Sequence, residues 1–302
     1  MDEILDYSMN KGMKASDLVG QMASAGFQAS EIGEAARIIR EMRKAKATVF
    51  LSFTANMVAS GLRGIFAQMA RDRMVDVIIT TGGSIDHDII RAGKSYLKGD
   101  FALDDAELHK KGINRLGNIL VPNDRYVFLE KRMQKIFSDL KNIKSTWTPS
   151  ELILEIGKTI GDEGSFLHWA AKNGIPVFCP GITDSAIGLQ LYFFRQDNKD
   201  FHIDVAGDMK LAEIVINSEK RGGIILGGGI AKHHTIGVNI LRDGLDYAVY
   251  VTTSAPWDGS LSGATASEAK SWSKIKEKGT TATVYGDAAV VFPLIMAGVL
   301  DG

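Results

Sequence analysis

The chain has 302 residues, 35 Lys+Arg against 36 Asp+Glu, and a single cysteine, Cys179. That balance gives no basis for nucleic acid or an anionic membrane as a partner, and one cysteine excludes an intrachain disulfide and fits a reducing interior. The acidic start Met1-Asp2-Glu3 lacks a signal-peptide pattern, so a soluble, cytoplasmic protein is expected, long enough to bury about 75% of its unfolded surface.

The first 47 residues read as helical, with Ser30 as an N-cap and Ile32, Ala36, Ile39 and Met42 on one face. Alternation of strand and helix then begins. Six apolar runs read as strands: Thr48–Phe53, Val75–Thr80, Ile175–Cys179, Ile224–Leu226, Tyr247–Val251 and Ala282–Tyr285. Helical patterns fall at Ala55–Asp72, Asp88–Ala92, Val127–Phe137 and Ile230–Leu241. The longest apolar stretch, Ala288–Leu300, contains Pro293 and is too short to span a bilayer comfortably, so it reads as a buried helix. Apolar strands separated by helices imply right-handed βαβ units and a parallel sheet covered on both faces. Residues 93–150 break the pattern, and Asp100–Asn123 is polar and glycine-spotted. With no linker, hinge or repeat, residues 1–302 are read as one elaborated domain.

Each strand ends in a small polar or glycine-rich turn, and open α/β sheets bind ligands at the carboxyl ends of their strands. Gly227-Gly228-Gly229 precedes a helical pattern, where a phosphate could meet free N–H groups. Tight strand–helix packing explains the same glycines equally well. Thr81-Gly82-Gly83 repeats the chemistry at another strand end, which tips the balance towards a nucleotide. His233 and His234 follow the triple glycine on different helix faces, so they do not form a paired-face zinc site, and no metal is expected. One reading makes a histidine of this pair an acid–base group, and the other leaves both in solvent. Cys179 reads as a small buried apolar residue.

Glu268 and Trp272 lie four apart, with Lys274 just beyond. An aromatic plate with a carboxylate holds an organic cation, and a neutral lysine can attack an imine. Lowering a lysine from ~10.4 by three units requires ~4 kcal/mol, which burial can supply. By spacing alone a solvated helix face fits these residues better.

Several segments carry a family resemblance. Gly227-Gly-Gly-Ile-Ala-Lys-His-His, Asp246-Tyr-Ala-Val-Tyr, Trp257-Asp-Gly-Ser, Glu268-Ala-Lys-Ser-Trp-Ser-Lys-Ile and Tyr285-Gly-Asp-Ala-Ala closely resemble the deoxyhypusine synthase family. So do Asn56-Met-Val-Ala-Ser-Gly, Gly112-Ile-Asn-Arg-Leu-Gly-Asn and Trp147-Thr-Pro-Ser, so the resemblance covers nearly the whole chain. It implies a Rossmann-like, doubly wound, mostly parallel α/β sheet in a homotetramer, with NAD-bearing sites at a dimer interface. It implies transfer of an aminobutyl group from spermidine, through an enzyme lysine, to a lysine of translation initiation factor 5A. By motif position Lys274 is that lysine and His233 the acid–base group. Glu268, Trp272, Gly259, Ser260 and Asp86 match substrate-binding positions. Asn56, Met57, Thr81, Gly82, Gly83, Asp184, Gly228, Thr253, Ser254, Asp258, Asp287 and Ala288 match positions that bind NAD.

Three positions acidic in the family are His87, Leu189 and Leu261 here. An ammonium docked against leucine is poorly compensated, at a cost of several kcal/mol. Two other readings follow: a homospermidine-synthase-like transfer to a free amine from a donor other than spermidine, and a non-catalytic NAD-binding relative. The short N-terminal segment leaves open whether it covers the site, as it does in the family.

Overall fold

The computed structural model describes residues 3–301. They form two compact units interleaved along the chain: one takes the residues through Phe53, Met74–Ile79 and those from Lys210 onward, the other Thr54–Arg73 and Thr80–Met209.

The first unit is built on parallel strands in the order Ile275–Tyr285, Leu245–Thr252, Arg221–Leu226, Thr48–Ser52 and Val77–Ile79. Leu51 pairs with Ile224, which pairs with Val249, and all three are fully buried. Such unbroken apolar runs need cover on both faces. The helix Gln28–Lys44 packs across four of the strands, and Gly229–Val238 across three. Gly222 lets the first come close, since a Cβ there would lie 2.7 Å from the Met42 sulfur. Buried Arg221 is held by carbonyls, donating to Ser218, Arg242 and Gly244 at 2.8, 2.8 and 3.0 Å.

The second unit is mainly helical and carries a small antiparallel sheet of Leu97–Lys98, Ile119–Pro122 and Ile113–Leu116. A buried polar knot ties its helices together. Arg63, on the helix Leu62–Arg71, donates to Asp88 at 2.5 Å and to Asp162 at 2.7 Å. Asp88, on the helix Gly82–Arg91, also accepts from the Ser165 hydroxyl at 2.5 Å and the Leu167 N–H at 3.0 Å. One step back, buried Asp86 accepts from the N–H groups of Ala186 and Ile187 at 2.8 and 3.0 Å. It thereby holds the first turn of the helix Ala186–Asp197.

All six predicted strands are present, and the helix Ala288–Leu300 forms with Pro293 inside it, buried along one face but exposed at Val290 and Leu300. Four details differ. Ser30 is no N-cap: the helix starts at Gln28, and the Ser30 hydroxyl donates to the Phe27 carbonyl. The expected helix Ala55–Asp72 is two helices, Ala55–Ala59 and Leu62–Arg71, because Ser60 is extended. Arg91 fills the break, donating to the carbonyls of Val58, Ala59 and Ser60 at 2.7, 3.3 and 2.5 Å. The helix expected from Asp88 begins at Gly82, directly after the turn. Asp100–Asn123 holds a short helix and most of the antiparallel sheet, whose strands are short and half-exposed. Among the described residues, no helix is long and apolar enough to cross a membrane.

Two predictions follow from the second unit. Arg63→Met leaves the fully buried Asp88 carboxylate without its cation and should cost about 3–5 kcal/mol in urea unfolding, whereas Asp162→Asn, on the half-exposed arm, should cost about 1 kcal/mol. Burial raises the Asp86 carboxyl to about 6 against the two N–H bonds that lower it. A carboxyl raised on folding favours the native state below its unfolded value, and that contribution disappears as pH rises through about 6. Unfolding titrations should therefore show wild type losing up to about 3 kcal/mol between pH 4 and 6.5 that Asp86→Asn does not lose.

Candidate active site

The first unit brings three turns to the carboxyl edge of its sheet. Gly227, at φ +78°, donates to the Val251 carbonyl at 2.8 Å, and Gly228 opens the helix Gly229–Val238. A Cβ on Gly228 would lie 2.1 Å from the Ser262 hydroxyl, so this glycine is required by the loop that crosses it. Gly229, at φ +61°, has nothing within 4 Å of its Cβ position and donates to the Ser262 hydroxyl at 3.2 Å. The crossing loop is tied down by the Thr252 hydroxyl, which donates to the Ser262 carbonyl and accepts from the Ser254 N–H. Within it the Ser260 hydroxyl, and then its N–H at 2.7 Å, bond to Asp258 and lower its carboxyl, and Gly259 sits at φ +70°. Thr253, Asp258, Gly259 and Ser260 are exposed. At the third turn Asp287 caps the helix Ala288–Leu300 through the Ala289 N–H, and Ala288 is buried.

The lysine constellation is built differently. The helix Ala266–Ser271 is capped by the Thr265 hydroxyl, and its C-cap is Trp272. Ser273 then turns left-handed at φ +54°, letting the Lys274 N–H donate back to the Ala269 carbonyl at 2.9 Å. The Lys274 carbonyl accepts from Leu245, the first residue of its strand. Gly244, at φ +92°, permits that approach, since a Cβ there would lie 2.6 Å from the Lys274 carbonyl carbon. The backbone of Lys274 is thus anchored at the amino end of the strands, not at the carboxyl edge expected from the turns. Its ammonium lies 5.3 Å from the centre of the Trp272 ring, and that ring is 63% exposed.

Lys274, Trp272 and Glu268 line one notch of about 20 Å³, together with Leu261, Lys232 and Tyr250. Two of these were not singled out from sequence. Lys232 is 1% exposed, donates to the Ala264 carbonyl at 2.7 Å, and stands 4.3 Å over the Tyr250 ring. Burial pushes its amine down to about 8, partly opposed by Glu268 and reinforced by Lys274. Its position four residues after Gly228, on a helix face shared with buried Ala231 and Thr235, was the available signal. The neighbouring His233, the acid–base group that the resemblance implies, is exposed.

The remaining candidates lie in the second unit. Thr81 is the N-cap of the helix Gly82–Arg91. A Cβ on Gly82 would meet the Ser185 side chain at 2.4 Å, and one on Gly83 would meet Ala55 at 2.9 Å. Asn56 is exposed and accepts from the Thr54 hydroxyl, Met57 is buried, and Asp184 and Leu189 are exposed. Each carboxylate oxygen of Asp86 accepts one N–H from the helix Ala186–Asp197. His87 bonds to the Tyr96 hydroxyl at 2.7 Å; burial, with Arg91 adding to it, holds its imidazole down at about 4, so it is neutral at pH 7. Burial also raises the Cys179 thiol to about 12, which removes it as a nucleophile. Among the described residues, no group of three His, Cys, Asp or Glu could hold a metal ion.

The family model described as deoxyhypusine synthase matches residues 17–299. A protein of Picrophilus torridus named probable deoxyhypusine synthase is 45% identical, over 98% of this chain and 96% of its own length. The deoxyhypusine synthase of Senecio vernalis is 40% identical, over 98% of this chain and 88% of its own. An Entamoeba histolytica crystal structure, provisionally assigned as a deoxyhypusine synthase, superposes with a TM-score of 0.72. It is 27% identical and is matched over 99% of this chain and 97% of that one. A match of this extent, on a parallel α/β sheet flanked by helices, makes the chain a member of the deoxyhypusine synthase family of aminobutyl-transferring enzymes.

Proposed function

We propose that this chain binds NAD and passes an aminobutyl group through Lys274 to a lysine of translation initiation factor 5A. The observation that carries the reading is the turn at Ser273, which sets Lys274 beside an aromatic plate and a carboxylate around one notch. The residues fit NAD. Gly229, with open space about it, begins a ten-residue helix, and Thr81, Gly82 and Gly83 open another; helix starts of this kind suit phosphate oxygens. Exposed Asp184 suits a ribose hydroxyl. Met57, Thr253, Ser254, Asp258, Asp287, Ala288 and Asn56 complete the proposed NAD set. When bound, NAD supplies a hydride acceptor and donor.

The chain's own residues do the rest. Trp272 gives a face for an alkyl-ammonium chain, and Glu268 gives the opposite charge at one end. Exposed His233 exchanges a proton with the amine under attack. Free-base Lys274 forms the new C–N bond to the imine carbon, and the departing amine carries the proton away. Gly259 and Ser260 shape the rim. The active assembly we propose is a homotetramer with its sites at a dimer interface, in the cytoplasm.

Leu261 favours a second reading of the donor. It lines the notch where a carboxylate is expected, so of the three acidic side chains missing by resemblance one is missing from the Lys274 site itself. A less charged or shorter amine than spermidine suits that wall better.

Incubation with NAD and spermidine, borohydride reduction and peptide mapping should give a butylamine adduct on Lys274 and none in Lys274→Ala. An unmodified Lys274 in protein that binds NAD would remove spermidine as donor and call for shorter and less charged amines to be tried in its place. Trp272→Ala should lower adduct yield at subsaturating donor about 5–30-fold, the loss of one cation–π contact of about 1–2 kcal/mol. Leu261→Asp should raise the preference for spermidine over uncharged analogues; an unchanged ratio would count against the altered-donor reading.

A further inference from the structure

Lys232 is buried at the 1% level, yet among the described residues no ion pair holds it. Its amine has one fixed acceptor, the Ala264 carbonyl at 2.7 Å, and the Tyr250 ring face at 4.3 Å. A protonated lysine carries three N–H donors and so stays under-coordinated there, while the free amine keeps a lone pair aimed at whatever shares the space. The notch it lines also holds Lys274, Glu268 and the buried Tyr250, whose hydroxyl finds no hydrogen-bond partner. A polar group buried without a partner costs about 1–3 kcal/mol and calls for an explanation. The notch, lined by both lysines and Tyr250, has room for one water.

We propose that Lys232 is the proton acceptor for the Lys274 ammonium, taking its proton directly or through one water and leaving Lys274 as the free amine that bonds to carbon. The exchange balances: Lys232 becomes the ammonium as Lys274 loses its proton, and Lys232 returns the proton when the next amine departs. The titratable groups facing it are Glu268 from the helix Ala266–Ser271, Lys274 from the turn beyond, and Tyr250 from the strand beneath. Glu268 favours the charged form of Lys232, and Lys274 opposes it. Burial that pushes Lys232 down to about 8 leaves roughly a tenth of it as the free base at pH 7 and about half at pH 8. The proposal rests on Lys274 as the covalent residue, so its test must separate the two.

The test is the pH dependence of covalent capture at Lys274, with two carbonyl sources. One is butanal with borohydride and no NAD; the other is spermidine with NAD. In wild type, capture by butanal should rise with an inflection near pH 8. Lys232→Met should lose the inflection and fall at least about tenfold at pH 7.5, a modest share of what a positioned base contributes. Lys232→Arg keeps the cation over Tyr250 but accepts no proton, so it should fail as Met does, while Lys232→His should move the inflection to lower pH. Folding of each variant is checked by circular dichroism. Wild-type rate and inflection in either Lys232→Met or Lys232→Arg would overturn the proposal. Inflection with butanal but no adduct from spermidine would keep the lysine pair and remove the reading of spermidine as donor.

Discussion

A lysine whose backbone starts at the wrong end of a sheet can still serve a site if its side chain is aimed by the turn that carries it. That constraint governs this chain. Ser273 accepts a left-handed conformation that a residue with a Cβ seldom adopts, and Gly244 gives up its side chain so that the Lys274 carbonyl can bond to Leu245. The helix Ala266–Ser271 therefore runs into the amino end of the strand Ile275–Tyr285, and Trp272 and Glu268 flank the lysine because both belong to that helix and its cap. Without this turn the same residues would form the solvated face that their spacing also allows.

The triple glycine shows how one sequence signal can serve two physical demands. Gly228 is small because Ser262 passes over it, which is packing, while Gly229 takes a positive φ with open space around it, which suits a ligand. The sequence reading left those explanations equal, and they turn out to apply to adjacent residues. Asp86 shows the reverse. It looks like a substrate carboxylate, but both of its oxygens hold a helix N-terminus.

Much of the fold was legible because buried parallel strands leave a strong mark: short apolar runs, each closed by small polar residues. Thr48–Ser52 and Leu245–Thr252 were found close to their true limits for that reason. The hairpin Ile113–Pro122 was missed because its strands are short and half-exposed, with no long run to read. Lys232 and Tyr250 were missed for another reason. A charged residue on a buried helix face and a tyrosine inside a strand announce nothing until folding brings them over one notch. Glu268, Trp272 and Lys274 were legible only as a cluster, since nothing in their spacing specifies a left-handed serine.

The interleaving of the two units has a bearing on how the molecule is made. The chain passes between them after Phe53, Arg73, Ile79 and Met209. On a ribosome the helical unit is complete once Met209 has emerged, while Thr48–Ser52 has met only Val77–Ile79. Its other edge remains open until Arg221–Leu226 is synthesised, and an apolar strand with unpaired N–H and C=O groups is an adhesive surface. The apolar stretch Val49-Phe50-Leu51 at the centre of that strand must therefore stay clear of neighbouring chains through most of synthesis. The nascent chain, more than the finished protein, carries the aggregation hazard of this architecture.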